Sequence, residues 1–118
     1  MSDALFVYGS LRSEFDNPHA RGLREKADLL GRATVRGSIF LVGQYPGFKS
    51  EPDGVVHGEV YKLRDPESTL AALDAYEGPE YPRTVISTSI PDVSAWIYIY
   101  PGSVRADQRI LSGDFLAQ

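Results

Sequence analysis

The sequence predicts an α+β domain in which several strands surround two short helices and the sheet is curved or closed into a small barrel. Three observations predict it. Stretches rich in β-branched and aromatic residues recur along the chain. Two segments carry the signals that start and stop helices. At 118 residues, 42% hydrophobic and 24% charged, the chain has the size and composition of one ordinary domain, expected to span residues 1–118. Gly and Pro are spread evenly, and no linker, charge block or repeat marks a boundary.

Ala4 to Tyr8 is short, apolar and aromatic and stops at Gly9, which reads as a buried strand. Asn17-Pro18 starts a helix whose Ala20, Leu23, Ala27 and Leu30 are spaced for one face, with Gly31 as its stop. From Ala33 to Val42 the β pattern resumes, and Gly43-Gln44-Tyr45-Pro46-Gly47 reads as a turn. After a hairpin-type Asp53-Gly54, residues 56 to 63 alternate as a half-buried strand. Asp65-Pro66-Glu67-Ser68 starts a second helix: Asp caps, Pro fits the first helical position, and Glu sits at the positive end of the dipole. That helix ends at Gly78-Pro79. Arg83 to Ile90 and Ala95 to Tyr100 are strands joined by a turn at Pro91-Asp92, and the tail from Val104 to Gln118 fits no single element.

Composition excludes several kinds of chemistry. Without cysteine there is no disulfide framework, thiolate zinc site, iron–sulfur cluster or Cys nucleophile. Twelve Lys and Arg against sixteen Asp and Glu leave a net charge of −4, the wrong sign for general phosphate-backbone binding. No apolar run approaches the roughly 20 residues that cross a bilayer, and the N-terminus lacks a signal-peptide pattern, so the expected location is cytoplasmic. His19 and His57 are isolated, which argues against a metal site, and no Gly-x-Ser-x-Gly elbow supports a serine hydrolase.

Three groups of residues can carry chemistry. On the helix from Pro66 to Glu77, a 100° step puts Leu70, Leu73 and Glu77 within an arc of about 60°, so the Glu77 carboxylate shares the core-facing stripe. Burial and the negative end of the helix dipole both raise its pKa, as a general base working near neutrality requires. The plainer alternative is that Glu77 and Asp74 rim the helix and point to water. In Tyr8-Gly9-Ser10-Leu11-Arg12 a strand leaves the sheet through a glycine, so backbone N–H groups can converge on an anion, with Arg12 adding charge; an ordinary turn is the alternative. Around the turn after the helix, Tyr81 can orient a substrate, while Arg83 either pairs with an acid or holds the loop; the plainer alternatives are a half-buried aromatic for Tyr81 and a solvated strand residue for Arg83. Tyr45, Trp96, Tyr98 and Tyr100 are expected to fill or rim the sheet core.

Taken in order, these residues resemble the gamma-glutamylcyclotransferase-like family, which includes the gamma-glutamylamine cyclotransferases and many small bacterial proteins. The resemblance spans nearly the whole chain. It is carried by Leu5 to Arg12, by Tyr45-Pro46, by Val56 to Tyr61, and by Leu73-Asp74-Ala75-Tyr76-Glu77-Gly78 with Tyr81 and Arg83 behind it. Trp96-Ile97-Tyr98 and Ile110-Leu111-Ser112-Gly113-Asp114-Phe115 are similar to the family's closing strand and tail. Phe115 stands where tryptophan is frequent, and Glu14-Phe15-Asp16 replaces a stretch often glycine-rich or basic.

The resemblance implies a small mixed β-barrel with flanking short helices, no cofactor and no metal. It implies a cavity between the first loop and the end of the central helix. Glu77 matches the acid/base glutamate. The segment Tyr8, Gly9, Ser10 and Leu11, extended here by Arg12, matches the loop that holds the glutamyl group, and Tyr81 is the aromatic residue near that pocket. The implied reaction converts a gamma-glutamyl amine or gamma-glutamyl amino acid to 5-oxoproline with release of the free amine, on a small-molecule substrate without nucleic acid or membrane partners. Such a substrate brings its own nucleophile, the α-amino group, so one carboxylate serving as base and then acid suffices. Loop N–H groups would hold either the α-carboxylate or the developing oxyanion. Two other readings share the fold: removal of a gamma-glutamyl protecting group from a specialised metabolite, and a non-catalytic small-ligand binding module.

Overall fold

A computed structural model describes residues 3–117; the ends of the expected 1–118 domain, Met1, Ser2 and Gln118, lie outside the described residues. The elements in chain order are β1 (Ala4–Val7), α1 (Pro18–Lys26), β2 (Ala27–Arg36), β3 (Ser38–Val42), β4 (Tyr45–Lys49), β5 (Val55–Leu63), α2 (Pro66–Glu77), β6 (Arg83–Ser87) and β7 (Ser94–Tyr98), with short 3-10 turns at Ala106–Gln108 and Phe115–Ala117. Five strands form one sheet in the order β2-β5-β1-β7-β6, and β3 and β4 form a separate hairpin. Among the described residues no helix is long and apolar enough to cross a membrane.

β1 is the centre of the large sheet, antiparallel to β5 and parallel to β7. It is buried on both faces, which explains its unbroken apolar run. With period two, Ala4, Phe6 and Tyr8 point into one core with Val60 and Ile97, whereas Leu5 and Val7 point into the other with Leu70 and Leu73 of α2. The hairpin β3-β4 is held from both sides. The Tyr100 N–H donates to the Phe48 carbonyl (3.0 Å) and the Ile110 N–H to the Ile39 carbonyl (2.9 Å), so the chain after β7 and the tail pin it over the sheet.

The closed barrel is not formed. The ladder runs from β2 to β6 and stops, and the two edges approach at one residue beyond β6. There the Ser89 N–H donates to the Thr34 carbonyl (2.9 Å), and the Ser89 hydroxyl accepts from the Thr34 N–H (2.8 Å). The reason is length: β6 ends at Ser87, so only the loop that follows it reaches β2.

Local signals explain most elements. The Asn17 side chain accepts from the Ala20 N–H (2.8 Å) to cap α1, and Asp65 does the same for α2 from Ser68 (3.4 Å). Several boundaries differ from the sequence expectation, among them β6, which ends at Ser87 rather than Ile90, and β7, which runs from Ser94 to Tyr98 rather than from Ala95 to Tyr100. α1 ends at Lys26 rather than at Gly31. Ala27 is already extended (φ −146°, ψ 157°) and pairs with Leu63, and Gly31, at φ 143°, follows a β-bulge at Leu30. The stretch from Ala33 to Val42 divides at Gly37 into β2 and β3, which belong to different sheets. The turn expected over Gly43 to Gly47 is only Gly43-Gln44, because Tyr45 already pairs with Val42 and Pro46 with Leu41 in β4.

Candidate active site

Glu77 is the last residue of α2. Leu73 and Leu70, one and two turns back, are buried beneath the helix, so its amphipathic stripe carries Glu77 toward the sheet as the 100° spacing predicts. The carboxyl is partly buried, and that burial pushes its pKa from 4.5 up to about 7. Among the described residues it accepts no hydrogen bond and pairs with no cation, so nothing within the fold stabilises its charged form.

Facing Glu77 is a cavity of about 250 Å³ that also takes in Tyr8, Gly9, Ser10 and Leu11 from the loop after β1, together with Tyr81. The loop is tight. The Arg12 N–H donates to the Gly9 carbonyl (3.1 Å), and the Asn17 side-chain amide donates to the Ser10 carbonyl (2.9 Å) while its oxygen caps α1. The carbonyls are thus occupied. Among the described residues the N–H groups of Gly9, Ser10 and Leu11 donate to no protein acceptor, which leaves them able to hold an anion.

The cavity's phenols divide by what their hydroxyls do. Tyr8 donates to the Tyr98 carbonyl (2.7 Å) and Tyr98 to Asp74 Oδ1 (2.7 Å). Both phenols are pushed well above their ordinary pKa, first by burial and then by nearby carboxylates, so they stay protonated and present ring faces to the cavity. The Tyr81 ring tilts against Tyr100 at 5.6 Å, and among the described residues its hydroxyl has no partner. Its pKa is also raised, by burial and then by Glu77.

Six of the seven sequence-predicted site residues therefore share one cavity. Arg12 does not. It is buried behind the loop, where Nη1 pairs with Asp114 (2.7 Å) and Nη2 with Glu14 (3.1 Å). Arg83, open on sequence grounds between an acid partner, a hold on the loop and a solvated strand position, pairs through Nε with Asp74 (2.8 Å) and lies 4.3 Å above the Trp96 ring. Sequence reasoning missed Tyr45, Pro46, Tyr76 and Tyr98 as cavity residues. The neighbour of Glu77 is the one a signal could have found: Tyr76 is an aromatic residue with no core position, and it stacks on His19 of α1 (centroids 3.8 Å) at the cavity rim.

Comparisons with known proteins find similarity along nearly the whole chain. Residues 5–117 match the family described as "Gamma-glutamyl cyclotransferase, AIG2-like". The Gamma-glutamylcyclotransferase family protein YtfP of Escherichia coli is 42% identical over 115 residues, covering 95% of each chain. The solution structure of that E. coli protein superposes with a TM-score of 0.69 at 38% identity, covering 96% of each chain. The crystal structure of an uncharacterized protein from Pyrococcus horikoshii superposes with a TM-score of 0.77 at 26% identity, over 97% of this chain and 90% of the other.

Proposed function

The chain belongs to the gamma-glutamyl cyclotransferase, AIG2-like family, and from that premise we propose that it cyclises a gamma-glutamyl amine or gamma-glutamyl amino acid to 5-oxoproline, with Glu77 as general base and then general acid. The observation that carries this reading is the pairing within one cavity of a partly buried, unpartnered Glu77 with the free N–H groups of Gly9 to Leu11. The acid supplies proton transfer and the amides supply anion binding, the two services this ring closure needs.

In the reaction the substrate's α-amino nitrogen attacks its own γ-carbonyl carbon and forms the ring C–N bond. The carbonyl oxygen gathers negative charge, and the bond from that carbon to the leaving nitrogen then breaks. Glu77 takes a proton from the attacking amine and returns it to the departing one, so the step balances without water, metal or redox partner. Because nucleophile and carbonyl already share one molecule, what the site adds here is restriction of the extended glutamyl chain's few rotatable bonds to a folded, near-attack shape. Loop amides and the free hydroxyl of Tyr81 are suited to that task.

The test is 5-oxoproline release, followed by mass spectrometry, from a panel of gamma-glutamyl amines, gamma-glutamyl amino acids and glutathione. Wild type should release 5-oxoproline from at least one member, and Glu77→Gln should lose at least about 100-fold in kcat while still binding substrate. A folded wild-type protein silent across the panel, or a Glu77→Gln variant with undiminished turnover, overturns the reading.

A further inference from the structure

The last turn of α2 is tied to the sheet by polar contacts as well as by packing. Asp74 lies three residues before Glu77, hence about 60° around the helix from it. One oxygen of its carboxylate, Oδ1, accepts from the Tyr98 hydroxyl of β7 (2.7 Å) and from Arg83 Nε at the start of β6 (2.8 Å). Arg83 is itself held against the Trp96 face. The ring of Tyr98 is a wall of the cavity, and its backbone carbonyl receives the Tyr8 hydroxyl from the end of β1. A continuous set of short hydrogen bonds therefore runs from the half-exposed Arg83–Asp74 pair to the strand that launches the Gly9–Leu11 loop. It connects both halves of the candidate site.

The apolar face of α2 is buried at Thr69, Leu70 and Leu73, all before Asp74. Beyond Leu73 no side chain of the helix is fully buried: Ala75 is exposed, Tyr76 is exposed and stacks on His19 of α1, and Glu77 is partly buried. Apolar burial beneath the helix thus ends one turn before Glu77, and beside the Tyr76 stack on α1 the Asp74 contacts are what tie the helix end to β6 and β7. We infer that Asp74 is the positioning residue of this site: through Tyr98, and braced by Arg83, it holds the end of α2 so that Glu77 faces the Gly9–Leu11 amides. The inference rests on the role of Glu77 proposed above. Asp74 itself does not line the cavity that Glu77 faces.

Burial of Glu77 depends on where that helix end lies, so its titration reports the positioning directly. The ionisable groups that share its cavity are the phenols of Tyr8, Tyr45, Tyr76, Tyr81 and Tyr98, with His19 stacked on Tyr76 at the rim, and those of Tyr8, Tyr81 and Tyr98 are pushed above their ordinary pKa. Full-length wild type, Tyr98→Phe, Asp74→Ala and Asp74→Asn should be compared by carboxyl carbon NMR titration of Glu77 and by kinetics of 5-oxoproline release. Tyr98→Phe keeps the Asp74 charge, so a Glu77 midpoint that falls in this variant reports lost position rather than lost repulsion. The expected result is a midpoint displaced toward the ordinary carboxylate range in Tyr98→Phe and Asp74→Ala, with kcat reduced about 10- to 100-fold at nearly unchanged KM. Asp74→Asn keeps an acceptor oxygen and should recover much of both. Midpoints equal to wild type in Tyr98→Phe and Asp74→Ala, even with lowered thermal stability, make the network merely structural and overturn the inference. Absence of turnover in wild type instead removes the proposed reaction, and the NMR titration still decides the positioning.

Discussion

Glu77 is a residue whose environment favours function over stability. Its folded pKa, about 7, lies above the unfolded value of 4.5, so the folded protein retains a proton that the unfolded chain releases between those values. The stability this proton confers is present below about pH 4.5 and is lost as pH rises through 7. Gln has no such titration. Glu77→Gln should therefore gain on wild type as pH rises from 5 to 8, by on the order of 1–3 kcal/mol after allowance for partial solvent access. Calorimetric melting temperatures at the two pH values read it as a difference of several degrees. The kinetic counterpart is an acid-side limb of kcat/KM centred near pH 7, because the base must be ionised to accept the first proton. A limb near pH 4.5 would return Glu77 to an ordinary surface carboxylate.

At the scale of the element, α2 is built to deliver that residue. Its start is marked by Asp65, Pro66 and Glu67, its middle is packed by Leu70 and Leu73, and its end is closed by the Gly78 N–H donating to the Asp74 carbonyl (3.0 Å). The cap is long at 3.4 Å, so Asp65→Ala should cost about 0.5–1 kcal/mol, at the low end for N-cap loss. Urea unfolding would measure that change, and kcat should be unaltered, since Asp65 lies three helical turns from Glu77. A large loss of kcat would mean that the helix N-terminus also tunes the site.

Across the whole molecule, the tail supports the site loop from behind. Gly113 fits a place where a Cβ would lie 2.0 Å from the Val55 carbonyl oxygen, at φ 70°, and its own carbonyl accepts from the His57 N–H (2.8 Å). This fastening brings Asp114 to Arg12, which is 2% exposed and 102 residues away in sequence. Burial alone would raise the Asp114 carboxyl, but hydrogen bonds from the Leu116 N–H and Arg12 outweigh it and hold the pKa below 3.8. Its stabilising contribution is therefore present above about pH 4 and lost as pH falls further. Asp114→Asn should cost about 2–4 kcal/mol at pH 7, because it leaves a buried guanidinium partly uncompensated, and the penalty should shrink on acidification toward pH 3. Denaturant melts across that range test both the size and the direction.

Signals confined to a few neighbouring residues were legible in the sequence. The caps at Asn17 and Asp65, the alternation of β5, the buried run of β1 and the alignment of Glu77 with Leu70 and Leu73 all follow from backbone geometry at short range. Ambiguity began where one residue satisfies two patterns. Ala27 suits the apolar face of α1 and is equally buried as the first residue of β2, where pairing with Leu63 decides the matter. Pro46 reads as a turn residue, yet a two-stranded hairpin tolerates its missing N–H. By itself the sequence determined the α+β elements, the alignment of Glu77 with the buried face of α2 and the loop that leaves β1 through Gly9. Only the tertiary structure decided that the sheet stays open, that Arg12 serves the tail instead of the cavity, and that Tyr81 keeps a free hydroxyl while Tyr8 and Tyr98 do not. The physical reason is separation along the chain: the partners of Tyr98, Tyr8 and Arg12 lie 24, 90 and 102 residues away, and no local pattern encodes which donor meets which acceptor across such distances.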